Sequence, residues 1–116
     1  MELETKKLIY DMDRAVELIA NFIHGKQFTD YASDPLLRSA VERQFEIIGE
    51  ALNRLAKADP AFISRISDYR RIISFRNVLI HGYDVVSNEV VWDIAQNRLP
   101  VLRCEIDALK RIVGVE

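Results

Sequence analysis

The chain has 116 residues, 49% of them hydrophobic and 29% charged, with 16 Lys and Arg set against 18 Asp and Glu. That length fits a single domain, residues 1–116, and the balance excludes a disordered chain and a broadly basic nucleic-acid coat. A lone cysteine, Cys104, leaves no internal disulfide, and two histidines far apart, His24 and His81, leave no zinc-ligand spacing, so no metal is expected.

No signal peptide or membrane-spanning run is visible, so the expected compartment is a reducing cytoplasm with no membrane partner. Four glycines and three prolines are few turn formers, which favours helices joined by short loops. The expected fold is all-α: an antiparallel bundle of four to five helices. A thin core margin makes a homodimer useful.

Helix one is predicted over residues 5–24, with Gly25 as its stop. Ile9, Met12, Val16, Ile19, Ala20 and Ile23 form its apolar stripe, wide enough for more than one neighbour. Residues 25–33 read as a polar loop whose Phe28 and Tyr31 cover the core. Asp34 and Pro35 give a cap and a first-turn proline for helix two. Leu37, Val41, Gln44, Ile48, Ala51 and Leu55 follow as a heptad seam. Gly49 sits mid-helix, at a cost of about 1 kcal/mol against alanine, where a second backbone can come close. Its neighbour Glu50 reads either as a solvated residue or as a partner for an arginine, and spacing alone favours the first.

Asp59-Pro60 repeats the cap signal for a short turn. Ser67 or Asp68 caps a helix expected over residues 69–81, with Tyr69, Ile72, Ile73, Leu79 and Ile80 as its stripe. Arg76 falls inside that stripe, and a charge on an apolar face is expensive unless it is paired or lines a polar cavity. The last segment starts near Asn88, with Trp92 as an anchor, and Pro100 predicts a kink near Asn97 or two abutting helices.

Charge is uneven. From Ser64 to Tyr83, Arg65, Arg70, Arg71 and Arg76 face Asp68 alone, a net +3 within a chain of net −2. Arginine grips phosphate well, which makes Arg70 and Arg71 candidate RNA phosphate contacts. Arg76 and His81 suit phosphodiester cleavage without a metal. RNA supplies the 2′-hydroxyl nucleophile, a histidine moves protons, and an arginine stabilises charge on the phosphoryl oxygens. At five residues' separation, however, the two side chains point about 140° apart on an ideal helix. Either the helix unwinds before His81 or the site straddles a cleft between two copies. On spacing alone, a structural ion pair or helix cap is the commoner explanation of such a pair. His24-Gly25, without a matching arginine, reads as a plain C-terminal cap.

Four segments carry a resemblance. Arg76-Asn77 with His81-Gly82-Tyr83, Ile47-Ile48-Gly49-Glu50-Ala51, Trp92-Asp93-Ile94 and Leu99-Pro100-x-Leu102 stand in the order of the HepT-like toxins of the HEPN domain class. The resemblance implies a dimeric, metal-independent endoribonuclease that needs no cofactor, the toxin of a type II/VII-like toxin-antitoxin pair. Arg76 and His81 would be catalytic, with Asn77 and Glu50 supporting. The implied partner is a minimal nucleotidyltransferase antitoxin that transfers AMP to the motif tyrosine, here Tyr83. The alternative is a non-catalytic nucleotide-binding or docking module acting with such an enzyme, which would bind nucleotide at the Arg76 cleft and leave RNA uncut.

Overall fold

The computed structural model describes residues 3–114, with the Tyr83 side chain outside that description. Among the described residues all regular structure is helical. Helix α1 (Leu3–Ile23) buries Ile9, Met12, Val16, Ile19 and Ile23, the stripe expected from the sequence. It stops at Gly25, whose φ of +72° suits a residue without Cβ. His24 is exposed just past this end.

The segment expected as a loop contains a short helix, α2 (Phe28–Ser33). The Gln27 amide donates to Asp30 Oδ2 at 2.8 Å, which satisfies one of the free N–H groups at the helix start. Tyr31 is fully buried, with its ring centroid 5.4 Å from that of Trp92. Burial, then the nearby Glu42 charge, pushes its phenol well above the usual tyrosine range.

Helix α3 (Pro35–Ala58) begins as Asp34 and Pro35 predict: Asp34 Oδ1 accepts from the Leu36 and Leu37 amides at 3.0 and 3.2 Å. Leu8 and Asp11 of α1 share a groove with Arg43 to Arg54 of α3, so the start of α1 lies beside the second half of α3 and the two run antiparallel. Asp59 then caps the single turn α4 (Pro60–Ile63), accepting from the Phe62 amide at 3.1 Å.

Helix α5 (Tyr69–His81) has the predicted bounds but a different start. Asp68 adopts φ +57° and makes no cap bond; its carboxylate pairs with Arg98 Nη2 at 3.0 Å. The Ser67 amide donates to Glu105 at 2.9 Å. The start of α5 is thus tied to the last helical segment rather than capped locally.

After a 3₁₀ turn (Tyr83–Val85), α6 (Asn88–Asp93) is capped by Ser87. A π-helical turn (Ile94–Arg98) joins it to α7 (Leu99–Val113). This is the break that Pro100 requires. Proline has no N–H for the carbonyl four residues earlier, and one wider turn resets the ladder. Val91, Ala95, Leu102, Ile106, Leu109 and Val113 continue the buried stripe across it. One core joins α1, α3 and α7, with Leu79 of α5 and both faces of the α2–α6 contact at its edges. No described helix is long and apolar enough to cross a membrane.

Candidate active site

Helices α3 and α5 meet at a glycine. A Cβ built on Gly49 would lie 2.3 Å from Arg76 Cβ and 2.7 Å from Arg76 Cγ. A Cβ essentially never comes within about 3 Å of a non-bonded heavy atom, so only glycine lets Arg76 sit this close to α3. The expectation of a close approach at Gly49 is met, and the approaching group is the stem of Arg76 itself.

That packing turns the guanidinium toward the next residue of α3. Arg76 Nη2 lies 3.2 Å from Glu50 Oε2, and Arg54 Nε donates to Glu50 Oε1 at 3.1 Å. Glu50 therefore bridges two arginines. The Arg76 side chain is 14% exposed, so its charge is largely taken out of water and depends on this partner. Its Nε is buried with no hydrogen-bond acceptor among the described residues. The solvated reading of Glu50 gives way to the paired one. A groove of about 300 Å³ opens beside it, lined by Asp11, Arg43, Glu46, Arg54 and Ile80 among others.

The other candidates lie across the helix. Arg70, Ser74, Asn77 and His81 recur at four-, three- and four-residue steps, which is one line along α5, and all four are exposed. Arg70 stands over the Tyr69 ring at 5.5 Å. Arg71 is exposed on the flank. The α5 ladder runs intact to its end, the Gly82 amide donating to Val78 O at 2.8 Å, so the helix does not unwind before His81. Arg76 and His81 consequently keep the angular separation of about 140° that the helical period dictates. One chain brings Arg76 to Glu50, and Arg70 and Asn77 to the line of His81. It does not bring Arg76 to His81.

Gly82 closes the helix with φ −116°, a conformation open to other residues. Glycine suits the position through crowding: a Cβ would meet Val85 Cγ2 at 3.1 Å and Val78 O at 3.2 Å. Tyr83 follows at once and opens the 3₁₀ turn. The expected acceptor of AMP, the Tyr83 side chain, lies outside the described residues. Among those residues no group of three or more His, Cys, Asp or Glu side chains is placed to hold a metal ion. Two features escaped sequence reasoning: Arg54 as the second cation on Glu50, and the outward line of α5. The second was readable from the i, i+4, i+7 spacing of Arg70, Ser74 and Asn77.

The sequence matches a known family. The description "Ribonuclease HepT-like" fits residues 12–109. A protein of Thermococcus cleftensis named Probable ribonuclease HepT is 30% identical over 111 residues, covering 96% of this chain and 100% of that one. A protein of Caldanaerobacter subterraneus subsp. tengcongensis with a provisional RNase name is 31% identical over 90 residues, 78% of this chain and 80% of its own. One from Methanocaldococcus jannaschii, also provisionally named an RNase, is 28% identical over 99 residues, 84% of this chain and 79% of its own. No solved structure matches. With a family match running from α1 almost to the end of α7, this chain belongs to the HepT-like ribonuclease family.

Proposed function

We propose that the chain is a metal-independent endoribonuclease that acts as a homodimer, with RNA as its substrate and the cytoplasm as its compartment. The observation that carries this reading is the divided site on α5: a nearly buried, Glu50-paired Arg76 on one side and an exposed His81 on the other. A phosphate in a cleft between two copies meets groups from both, which a single copy cannot supply. Exposed apolar side chains lie within four residues of His81 in sequence, with Val78 at 44%, Ile80 at 42% and Val85 at 70% exposure, and burying them against a second copy is favourable.

In that cleft one His81 takes the proton of the 2′-hydroxyl, and the 2′-oxygen forms a bond to phosphorus. The bond from phosphorus to the 5′-oxygen breaks, and the departing oxygen receives a proton from His81 of the partner subunit. The products are a 2′,3′-cyclic phosphate and a 5′-hydroxyl. Arg76, aimed by Glu50 through one terminal nitrogen, offers its other to a phosphoryl oxygen as charge builds there. Asn77 helps hold the scissile phosphate, and Arg70 and Arg71 meet flanking phosphates.

The physiological role we infer is that of a toxin paired with a minimal nucleotidyltransferase antitoxin. AMP placed on Tyr83, two residues beyond His81, adds bulk and negative charge beside the site and repels the RNA backbone. The test is incubation of unmodified protein with total RNA in EDTA, beside His81→Ala. Cleavage by wild type only, with cyclic-phosphate ends, is the expected result. Equal cleavage by purified His81→Ala overturns the assignment.

A further inference from the structure

A second hollow, of about 280 Å³, lies on another side of α5, where α3, α5, the π-helical turn and α7 come together. Its apolar lining includes Phe45 and Phe75, an edge-to-face pair with centroids 5.4 Å apart, together with Ile94, Leu99 and Leu102. Charged groups stand around this lining. Asp68 is paired with Arg98 at 3.0 Å, Glu105 accepts from the Ser67 amide at 2.9 Å, and Asp93 accepts from Asn97 Nδ2 at 2.6 Å. Among the lining charges, only the Arg71 side chain has no ion pair or hydrogen bond among the described residues; its backbone N–H donates to Asp68 O at 3.0 Å. The site therefore combines an aromatic, apolar hollow with one uncommitted cation.

The backbone is specialised at the same place. Ile94 and Arg98, the first and last residues of the π-helical turn, both line the hollow. Such turns are rare and are frequent at functional sites. The volume is near the lower end for small-molecule sites and suits a single flat ring system better than a whole cofactor. Arg71 offers a local partner for a negative group attached to that ring, within a lining where Arg71 and Arg98 stand against Asp68, Asp93 and Glu105.

We propose that this hollow is a nucleobase pocket, taking one base of the RNA beside the cleavage site while Arg71 holds that nucleotide's phosphate. The inference rests on the ribonuclease reading above and names a determinant of where such an enzyme cuts. Phe75, in the hollow, and Arg76, in the cleavage site, are consecutive and 100° apart on α5. From the helix diameter their tips are separated by roughly 8 Å, comparable to the step between neighbouring nucleotides. Stacking on aromatic rings retains a base without a fixed hydrogen-bond pattern.

The test uses the full chain in two measurements. The first is titration with each of the four ribonucleoside monophosphates, followed by amide NMR. The expected shifts centre on Phe75, Ile94 and Leu102 and disappear in Val90→Trp, which fills the hollow from an exposed position in its lining. The second is mapping of cut sites in a random-sequence RNA pool. Val90→Trp is expected to flatten the base preference next to the cut, and Arg71→Gln to raise KM about tenfold with kcat unchanged. If wild type cuts RNA but no monophosphate shifts these residues, or Val90→Trp keeps the wild-type cut pattern, the pocket inference falls while the ribonuclease reading stands. If the monophosphates bind there and RNA stays intact, the nuclease reading falls and the nucleotide pocket stands. A change of oligomeric state in folded Val90→Trp or Arg71→Gln assigns the hollow to a contact between copies and overturns the inference.

Discussion

On its core side, helix α3 buries Val41, Ile48, Leu52 and Leu55, each at 0% exposure. On the side facing α5 it offers Gly49 and Glu50, and what it receives is an arginine. The first contact is a matter of apolar area and volume, which many side-chain sets satisfy. The second depends on the absence of one methyl group and the presence of one carboxylate. Stability resides mainly in the first contact, and the proposed cleavage draws on the second, so substitutions on the two sides should separate the two properties.

The largest effect on stability is expected on the core side. Ile48→Ala should lower unfolding free energy by about 3 kcal/mol, through lost burial and the cavity left behind. Chemical denaturation measures this. The cleavage rate per folded molecule should stay close to wild type. A large loss of rate in the folded fraction would mean that the two sides of α3 are not separable.

Gly49→Ala tests the other side. Alanine is the better helix former by about 1 kcal/mol, so on propensity alone the substitution stabilises. Its Cβ would overlap the Arg76 stem at 2.3 Å, and neither backbone-borne group can swing away. The clash should win, at a net loss of about 1–2 kcal/mol. Because α5 must shift to relieve it, cleavage should fall at least tenfold. A more stable, fully active Gly49→Ala protein would show that this approach does not set the position of Arg76.

Glu50→Gln should have a smaller effect on stability. The Arg76 side chain is 14% exposed but that of Glu50 is 44% exposed, so solvent screens the pair and the loss should be about 1 kcal/mol or less. The guanidinium loses its aim, and kcat should drop with KM little changed. Arg54→Gln provides the comparison, since it removes the second cation on Glu50 and leaves Arg76 paired.

The same contrast explains what was legible in the sequence. The stripes of α1, α3 and α7 follow from periodicity, and Asp34-Pro35 and Asp59-Pro60 mark the starts of α3 and α4 because capping is local chemistry. Arg76 was visible as an anomaly for the same reason: a charge at an apolar position shows in a single helix. Spacing alone did not single out its partner, which the resemblance named as supporting, because the Glu50–Arg76 pair joins residues 26 apart in sequence and nothing local to Glu50 distinguishes a solvated carboxylate from a bridging one. Helix α2 was hidden by its length and by a Gln27 start in place of Ser, Thr or Asp. Asp68 looked like a cap, but its tie to Arg98 is tertiary. Pro100 announced a break, while the π-helical form of that break depends on how α6 and α7 both keep their buried faces.

The smallest effect concerns a charge on the α5-facing side of α3 that has no such partner. Glu42 lies seven residues before Gly49, only about 20° away around the helix. Burial, followed by the nearby Glu46 charge, raises its carboxyl above the usual glutamate range, and Arg38 opposes this only in part. The folded chain therefore holds this proton more tightly than the unfolded chain. The resulting stability is fully present below the unfolded pKa and is lost as pH rises through the raised folded value. Glu42→Gln keeps the shape and removes the charge, so it should raise Tm at pH 7 by about 2 °C and leave Tm nearly unchanged at pH 4. Thermal melts of both proteins at the two pH values measure this. Equal melting at pH 7 would mean that water reaches Glu42 freely, and that the contrast on this side of α3 is confined to the Gly49–Arg76 crossing.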